Sequence, residues 1–184
     1  MPGSERRKGP PAQGPKVPLS PSRQLEGFLG RYAPEVRALA RTALGRLRRL
    51  LPGAVQLVYD NYNALAIGFG PTERASQAIV SLALYPRWVS LFFLNGVVLD
   101  DPNRLLKGSG NRVRHVVLKS ASQLDEPAIL ALLREALERA GTPIDPKGRG
   151  RIVVKSVSKR QRPRRPGARN QGKTARAVLD SRKG

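Results

Sequence analysis

Hydrophobic positions divide the chain into a helical first part, a strand-rich middle and a final helix. Apolar residues recur at helical spacing after Ser20-Pro21, which predicts a short helix that begins at Pro21. The face it buries is predicted to hold Leu25, Phe28, Leu29 and Tyr32. A second helix is predicted from Pro34 to the Pro52-Gly53 stop. Its inward stripe is predicted to be Val36, Leu39, Ala40, Ala43, Leu47 and Leu50.

Short runs rich in Val, Tyr, Phe and Leu follow from Ala54, and turn sequences separate them. They predict strands near residues 54–59, 63–69, 76–85, 87–94 and 112–118. The short connections between the first four favour antiparallel neighbours, because a parallel crossover needs about a dozen residues or more. A last helix is predicted from Asp125 or Glu126 to a stop at Gly141.

This order of elements, α-α-β-β-β-β-β-α, predicts an α+β fold of the two-layer sandwich type, with an antiparallel sheet and helices on one face. The domain is expected to span residues 20–141. A basic segment, 142–162, contains a β-prone run at 152–157 that predicts an additional edge strand. The Pro-, Gly- and Lys/Arg-rich stretches 1–19 and 163–184 have little apolar surface, so we expect both to be disordered.

The charge of the chain is strongly positive. It has 34 Lys and Arg against 13 Asp and Glu, for a formal net charge of +21, and 14 of the basic residues lie in 142–184. The absence of cysteine excludes disulfides and thiolate chemistry. No segment has the apolar run of a secretory signal or of a membrane span, so we expect a cytoplasmic protein with no membrane partner.

Few residues could support catalysis. A nucleophile needs a base beside it, and with one histidine the only candidate pair is Ser109 with His115. Gly68-Phe69-Gly70 is not followed by the Lys and Ser/Thr of a phosphate loop. The sequence therefore predicts a binding protein without enzymatic activity and without a cofactor.

The acidic residues are scattered and do not form a hard-metal site. Asp100 and Asp101 precede Pro102, as helix-capping residues do. Glu135 and Glu138 lie one helical turn apart near arginines, which is typical of an ion-paired surface.

The strongest candidate for ligand binding is a Gly-Ser-Gly turn flanked by basic residues. Its backbone N–H groups and cations could receive a phosphate or carboxylate. The candidate residues are Lys107, Gly108, Ser109, Gly110, Arg112 and Arg114. The alternative is a turn in which glycine only permits positive φ before a strand. If a strand begins at 112, His115 lies on the opposite face from the two arginines and is a packing residue rather than a ligand.

The strand that follows Trp88 is apolar on both faces. This favours a central strand covered on both sides over a base-stacking platform. Trp88 itself, next to Arg87 at a hairpin, is the one residue here that could contact a ligand.

The basic tail is a candidate for nonspecific contact with a polyanion such as nucleic acid, by release of counterions. The candidate residues are Lys159, Arg160, Arg162, Arg164 and Arg165. No aromatic residues are interleaved with these charges, so sequence readout is not indicated. The alternative is a solvated tail with no partner.

Several motifs between Leu25 and Gly141 resemble the YdhG-like family of bacterial domains of unknown function. They are Tyr59-Asp60-Asn61-Tyr62-Asn63, Gly68-Phe69-Gly70, Tyr85-Pro86-Arg87-Trp88-Val89, Leu91-Phe92-Phe93 and the segment from Leu105 to His115. Residues 151–166 also resemble the closing segment of relatives in this family. The resemblance implies a fold more firmly than a function.

One branch of that family is described as a frataxin-like iron chaperone, which makes iron the alternative ligand. Frataxin-like proteins are thought to gather iron on an acidic ridge along the first helix and the adjoining strand. Here the long helix carries Glu35 and a series of arginines, and Asp60 alone has a roughly corresponding place. Positive charges repel Fe²⁺, so anion binding is the first prediction and iron the second.

Overall fold

The computed structural model describes residues 18–166, with three α-helices, six strands and three 3₁₀ helices. Their order is α1 Pro21–Leu29, α2 Pro34–Leu50, β1 Val55–Asp60, β2 Leu65–Gly70, β3 Val80–Leu84, β4 Val89–Phe93, β5 Arg114–Leu118, α3 Pro127–Glu138 and β6 Ile152–Val157. The 3₁₀ helices are Ala75–Gln77, Gly96–Val98 and Ala121–Asp125. The predicted disordered stretches lie outside the described residues, except for 18–19 and 163–166.

The α+β class is confirmed, but the sheet is mixed rather than antiparallel. Its strand order is β5-β4-β3-β2-β1-β6. β1 to β5 form an antiparallel meander, whereas β6 pairs in parallel with β1. The physical reason is the long return of the chain through α3, which crosses from one sheet edge to the other and so permits a parallel neighbour.

Two local predictions are wrong. The strand predicted over 76–85 begins only at Val80, because the preceding residues form a 3₁₀ turn that crosses close to β2: a Cβ on Gly70 would lie 2.7 Å from the Gln77 carbonyl oxygen. No helix follows Asp100 and Asp101 directly in this described part of the chain. The Asp101 carboxylate instead accepts the N–H groups of Leu105 (3.0 Å) and Leu106 (2.7 Å), which closes a turn.

One face of the sheet packs against the helices and forms the core. Strand pairing places alternate residues such as Ile67, Leu82 and Leu91 on this helix face, where they are fully buried. Tyr32 joins the helices to the sheet. Its hydroxyl donates to the Leu84 carbonyl (3.1 Å) and accepts the N–H of the first β2 residue, and burial raises its pKa to about 12.

The opposite face, here called the open face, carries no α-helix of the described chain, but the residues at the end of the Ala75–Gln77 turn cross it at Gly68 and Gly70. Its residues lie outside the core cluster: Tyr59, Ala66, Ser81, Phe92 and His115 are half-buried, whereas Leu57, Ala83 and Ser90 are buried. β4 is a central strand with four of its five residues buried; on its open face Ser90 is buried and Phe92 is half-buried. The apolar residues on its second face belong to a surface with small side chains on the neighbouring strands, not to a second core.

None of the helices between residues 18 and 166 combines the length with the hydrophobicity that crossing a bilayer requires.

Candidate anion-binding site

A cavity of about 420 Å³ opens at the end of the sheet where β4 finishes and β5 begins. Its walls come from the Ala75–Gln77 turn, the segment after β4 and the end of α3. Two arginines, Arg112 and Arg139, line it. This volume is in the usual range of about 300–1,000 Å³ for small-molecule sites. Most of the remaining lining is apolar: Ala75, Ala78, Ile79, Phe93, Leu94, Val98, Leu99, Val113, Ala136 and Ala140.

Backbone contacts fix the position of Arg112 at the rim. Val97 donates its N–H to the Arg112 carbonyl (3.0 Å), which ties the segment after β4 to the start of β5. Gly96 is required there, because a Cβ at this position would lie 2.6 Å from the Arg114 Cβ. On the other side, the Gln77 side-chain amide donates to the Thr142 hydroxyl (3.2 Å) and joins the loop to the end of α3.

The charges at the cavity are unevenly neutralised. Arg112 is exposed, and its guanidinium has no hydrogen bond or ion pair to any described residue. The Arg139 Nε donates to Glu135 (2.7 Å), which leaves its two terminal nitrogens available to a ligand. The Glu135 carboxylate also accepts the Asp100 N–H (2.9 Å). That N–H, followed by the Arg139 side chain, lowers the pKa of Glu135. At neutral pH the two guanidinium groups and one carboxylate leave a net positive charge.

The six residues predicted from the Gly-Ser-Gly turn do not converge, and of the six Arg112 alone lines the cavity. Lys107 pairs through its backbone with His115, and Gly108 adopts a φ of +116°. The Arg114 guanidinium folds back onto the carbonyl oxygens of Gly110 (2.5 Å) and Val113 (2.9 Å). Its hydrogen bonds hold the loop together, so this segment is closer to a structural turn than to a phosphate cradle.

Within the described residues, the backbone N–H groups of Gly108, Ser109 and Gly110 donate no hydrogen bond to protein. They are exposed and available to a ligand. The predicted pair of Ser109 and His115 does not form a hydrogen bond in this described loop. The His115 ring instead stacks on Phe92, with ring centroids 5.0 Å apart.

Arg139 is a site residue that the sequence did not reveal, although ion pairing at this helix end was expected. The ion pair between Glu135 and Arg139 could be predicted, because an Arg four residues after a Glu is typical of a surface pair at a helix C-terminus. That this helix end faces Arg112 follows from tertiary packing and has no local signature. The cavity could not have been found from spacing.

Asp60, the alternative iron ligand, lies in a buried ion-pair cluster. It is 1% exposed, and its Oδ2 accepts from Arg31 (2.8 Å) and Gln161 (2.5 Å), while its Oδ1 accepts from Arg164 (2.8 Å). The Arg164 guanidinium also lies over the ring of Tyr32, 5.6 Å from its centroid. Both carboxylate oxygens are thus bonded to cationic or amide donors. Between residues 18 and 166, no three His, Cys, Asp or Glu side chains are grouped as a metal site.

This cluster corrects the prediction that Arg164 belongs to a disordered, polyanion-binding tail from residue 163. Arg164 is 5% exposed, because Asp60 and nearby backbone carbonyls receive its guanidinium. Lys159, Arg160 and Arg162 are exposed, and their side chains have no partner among the described residues. Arg165 is also exposed and contacts the Gly30 carbonyl (3.4 Å).

Comparison of the chain with protein-family models, with curated proteins and with solved structures gave no match. The resemblance to YdhG-like domains therefore stays a prediction, and the function of the chain has to be inferred from its own geometry.

Proposed function

We propose that the protein is a non-enzymatic binding module for a small amphiphilic anion, held in the cavity between Arg112 and Arg139. The observation that carries this proposal is a cavity with an apolar wall and two guanidinium groups, of which Arg112 has no partner in the described chain. We interpret the fold as a two-layer sandwich of the kind expected for YdhG-like domains, in which the cavity lies at one end of the sheet.

The chemistry of the lining favours a carboxylate or phosphate that carries a short apolar group. A guanidinium presents a planar fork of donors that matches the oxygens of such anions. Residues such as Phe93, Leu99 and Val113 offer apolar surface beside it. Burial of each methylene of the ligand contributes up to about 0.8 kcal/mol, or roughly fourfold in affinity.

A series of alkyl phosphates tests both the binding of the anionic group and the burial of the apolar group. Isothermal titration with methyl, butyl and hexyl phosphate should give increasing affinity, and hexanol should bind much more weakly. Hydrogen bonds to charged groups are worth about 1.5–3 kcal/mol, so Arg112→Gln or Arg139→Gln should weaken hexyl phosphate about tenfold or more.

Arg134→Gln is the matched control, because Arg134 is exposed on α3 and does not line the cavity. It should bind hexyl phosphate as the natural chain does. Equal affinity in Arg112→Gln and Arg134→Gln, or no dependence on alkyl length, would contradict the proposal.

We further propose that the exposed basic residues after β6 add nonspecific contact with polyanions. Lys159, Arg160 and Arg162 support this, since all three are solvent-accessible and unpaired within the described chain. Replacing the three with Ala should reduce the salt dependence of duplex DNA binding, by about 0.9 in log–log slope for each lost contact. An unchanged slope would refute it. Iron binding and a cytoplasmic location stay predictions, and Asp60 lends the former no support.

A further inference from the structure

We propose that the open face of the sheet binds single-stranded nucleic acid by stacking unpaired bases on its aromatic side chains. The inference goes beyond the cavity, which lies at another part of the sheet. It rests on three features of the open face: the placement of its aromatic rings, the small residues between them and the sign of the charges at its border.

The aromatic rings form two stacked pairs, one in the β3–β4 turn and one across β4 and β5. Tyr85 and Trp88 stack across the β3–β4 hairpin, with ring centroids 4.9 Å apart, and Phe92 stacks on His115 at 5.0 Å. Trp88 and Phe92 are four residues apart along the chain, which places the pairs roughly 13 Å from each other. Trp88 is 43% exposed.

A shallow trough lies beside these pairs. Its floor consists of Ala66, Ser81 and Ala83, which strand pairing places on the open face of β2 and β3. Tyr59 on β1 and Phe92 on β4 border it; three strand spacings and a two-residue offset along the strand separate them by about 16 Å. A base stacked on the side of the Phe92 ring opposite His115 would therefore lie above Ser81. Every nucleobase has a π-face, so such a surface tolerates any sequence.

Ser90 lies between the two aromatic pairs on the same face. It is 1% exposed, and its hydroxyl has no hydrogen-bond partner among the described residues. Buried hydroxyls are normally paired, and an apolar residue would pack this position better if the face only completed a core. Because this hydroxyl is buried, a stacked base would contact the aromatic rings on either side of it rather than Ser90 itself.

The charge of the border is complementary to a phosphate backbone. Lys107 pairs through its backbone with His115 at the edge of the sheet. Lys119 comes directly after β5, where the strand register places it beside Trp88. Arg87 is exposed in the hairpin turn. The strand residues that pairing places on the open face include no Asp or Glu. Aromatic rings with cations at their border are the features that single-strand binding surfaces combine.

Trp88 is the only tryptophan of the chain, so its emission reports on this surface directly. Addition of the oligonucleotides rU12 and dT12 to the full chain should quench Trp88, and a duplex of equal length should not. If rU12 and dT12 bind with equal affinity, the protein recognises the bases alone. If rU12 binds more tightly than dT12, the protein also contacts the ribose 2′-hydroxyl. Both results support the proposal.

Two variants distinguish the stacking of bases on aromatic rings from electrostatic attraction of the phosphate backbone. Phe92→Leu keeps an apolar side chain but removes the ring, and it should weaken rU12 at least about fivefold in fluorescence anisotropy. Lys119→Glu, at an exposed position, should weaken rU12 more than Arg134→Glu, which makes the same charge change on the helix layer. The Lys119 comparison remains informative if Phe92→Leu does not fold.

An unquenched Trp88 together with equal rU12 affinity in Lys119→Glu and Arg134→Glu would overturn the proposal and assign binding to the basic segment alone. Phe92 does not line the cavity. Hexyl phosphate titration of Phe92→Leu therefore shows separately whether the cavity functions, and the two proposals can fail independently.

Discussion

Replacing Asp60 with Asn removes the negative charge that holds two arginines at the junction of β1, α1 and the segment after β6. Asp60 and Arg164 are 1% and 3% exposed in their side chains and lie 2.8 Å apart. Removing one partner of such a buried pair costs about 3–5 kcal/mol, because the other charge is left without compensation. Arg31 is 46% exposed, so its pair with Asp60 adds at most about 1 kcal/mol.

The lower end of this range, about 3 kcal/mol, is expected, since Arg164 can detach and reach water. Detachment would expose the segment in which the Arg162 N–H donates to the Tyr62 carbonyl (2.9 Å) and the Ser158 N–H to the Asp60 carbonyl (2.8 Å). Urea unfolding at pH 7 measures the loss of stability. Tryptic cleavage after Lys159 or Arg160 in native conditions measures detachment.

Two comparisons make the result specific. Glu73→Gln removes an exposed pair with Arg151, of 43% and 65% side-chain exposure, and should cost less than about 1 kcal/mol. Arg164→Met should destabilise the natural chain strongly but the Asp60→Asn variant only slightly, because the two residues act through one pair. If Asp60→Asn and Glu73→Gln had equal stabilities, the assignment of Asp60 to a buried ion-pair cluster that stabilises the fold would be wrong.

Three further predictions concern single side chains. Tyr32→Phe should destabilise by about 1–3 kcal/mol at pH 7 because it leaves two backbone groups unpaired. In the natural chain the pKa of the Tyr32 hydroxyl is about 12, above its ordinary value near 10 in the unfolded chain. The free energy of unfolding should therefore fall as the pH rises from 10 to 12. Urea titrations at these pH values should show a smaller fall in Tyr32→Phe. Ser90→Ala should raise the thermal midpoint, since a buried unpaired hydroxyl is removed. Glu135→Gln should tighten hexyl phosphate several-fold by calorimetry, because it leaves Arg139 without its carboxylate; weaker binding would refute this role.

The helices and most strands could be predicted because their apolar residues recur at clear periods. The stripe on α2 and the alternation of Leu65, Ile67 and Phe69 in β2 each have a single solution that buries them against the core. In β1 the alternation is misleading, because Val55, Leu57 and Tyr59 lie on the face away from the helices. The β6 range was also visible as a β-prone run, but its parallel direction depends on where α3 returns the chain. That return is a property of the whole fold.

The site was only partly predictable, because side chains close in sequence lie apart in space. Arg112 and Arg114 were expected to act together, yet Arg114 bonds to its own loop whereas Arg112 lines the cavity. Arg164 has the local sequence of a basic tail, and its partner Asp60 lies 104 residues earlier. The apolar character of Phe92 indicated burial, and only the strand order shows that small residues lie beside it.

Anion recognition at the cavity can be observed on the two guanidinium groups themselves. In a ¹⁵N-labelled full-length sample, titration with hexyl phosphate should shift the Nε–Hε resonances of Arg112 and Arg139 along one saturable curve, while that of Arg134 stays unchanged. If the arginine resonances shifted uniformly and without saturation, or if only those after β6 moved, the cavity would not be the anion-binding site.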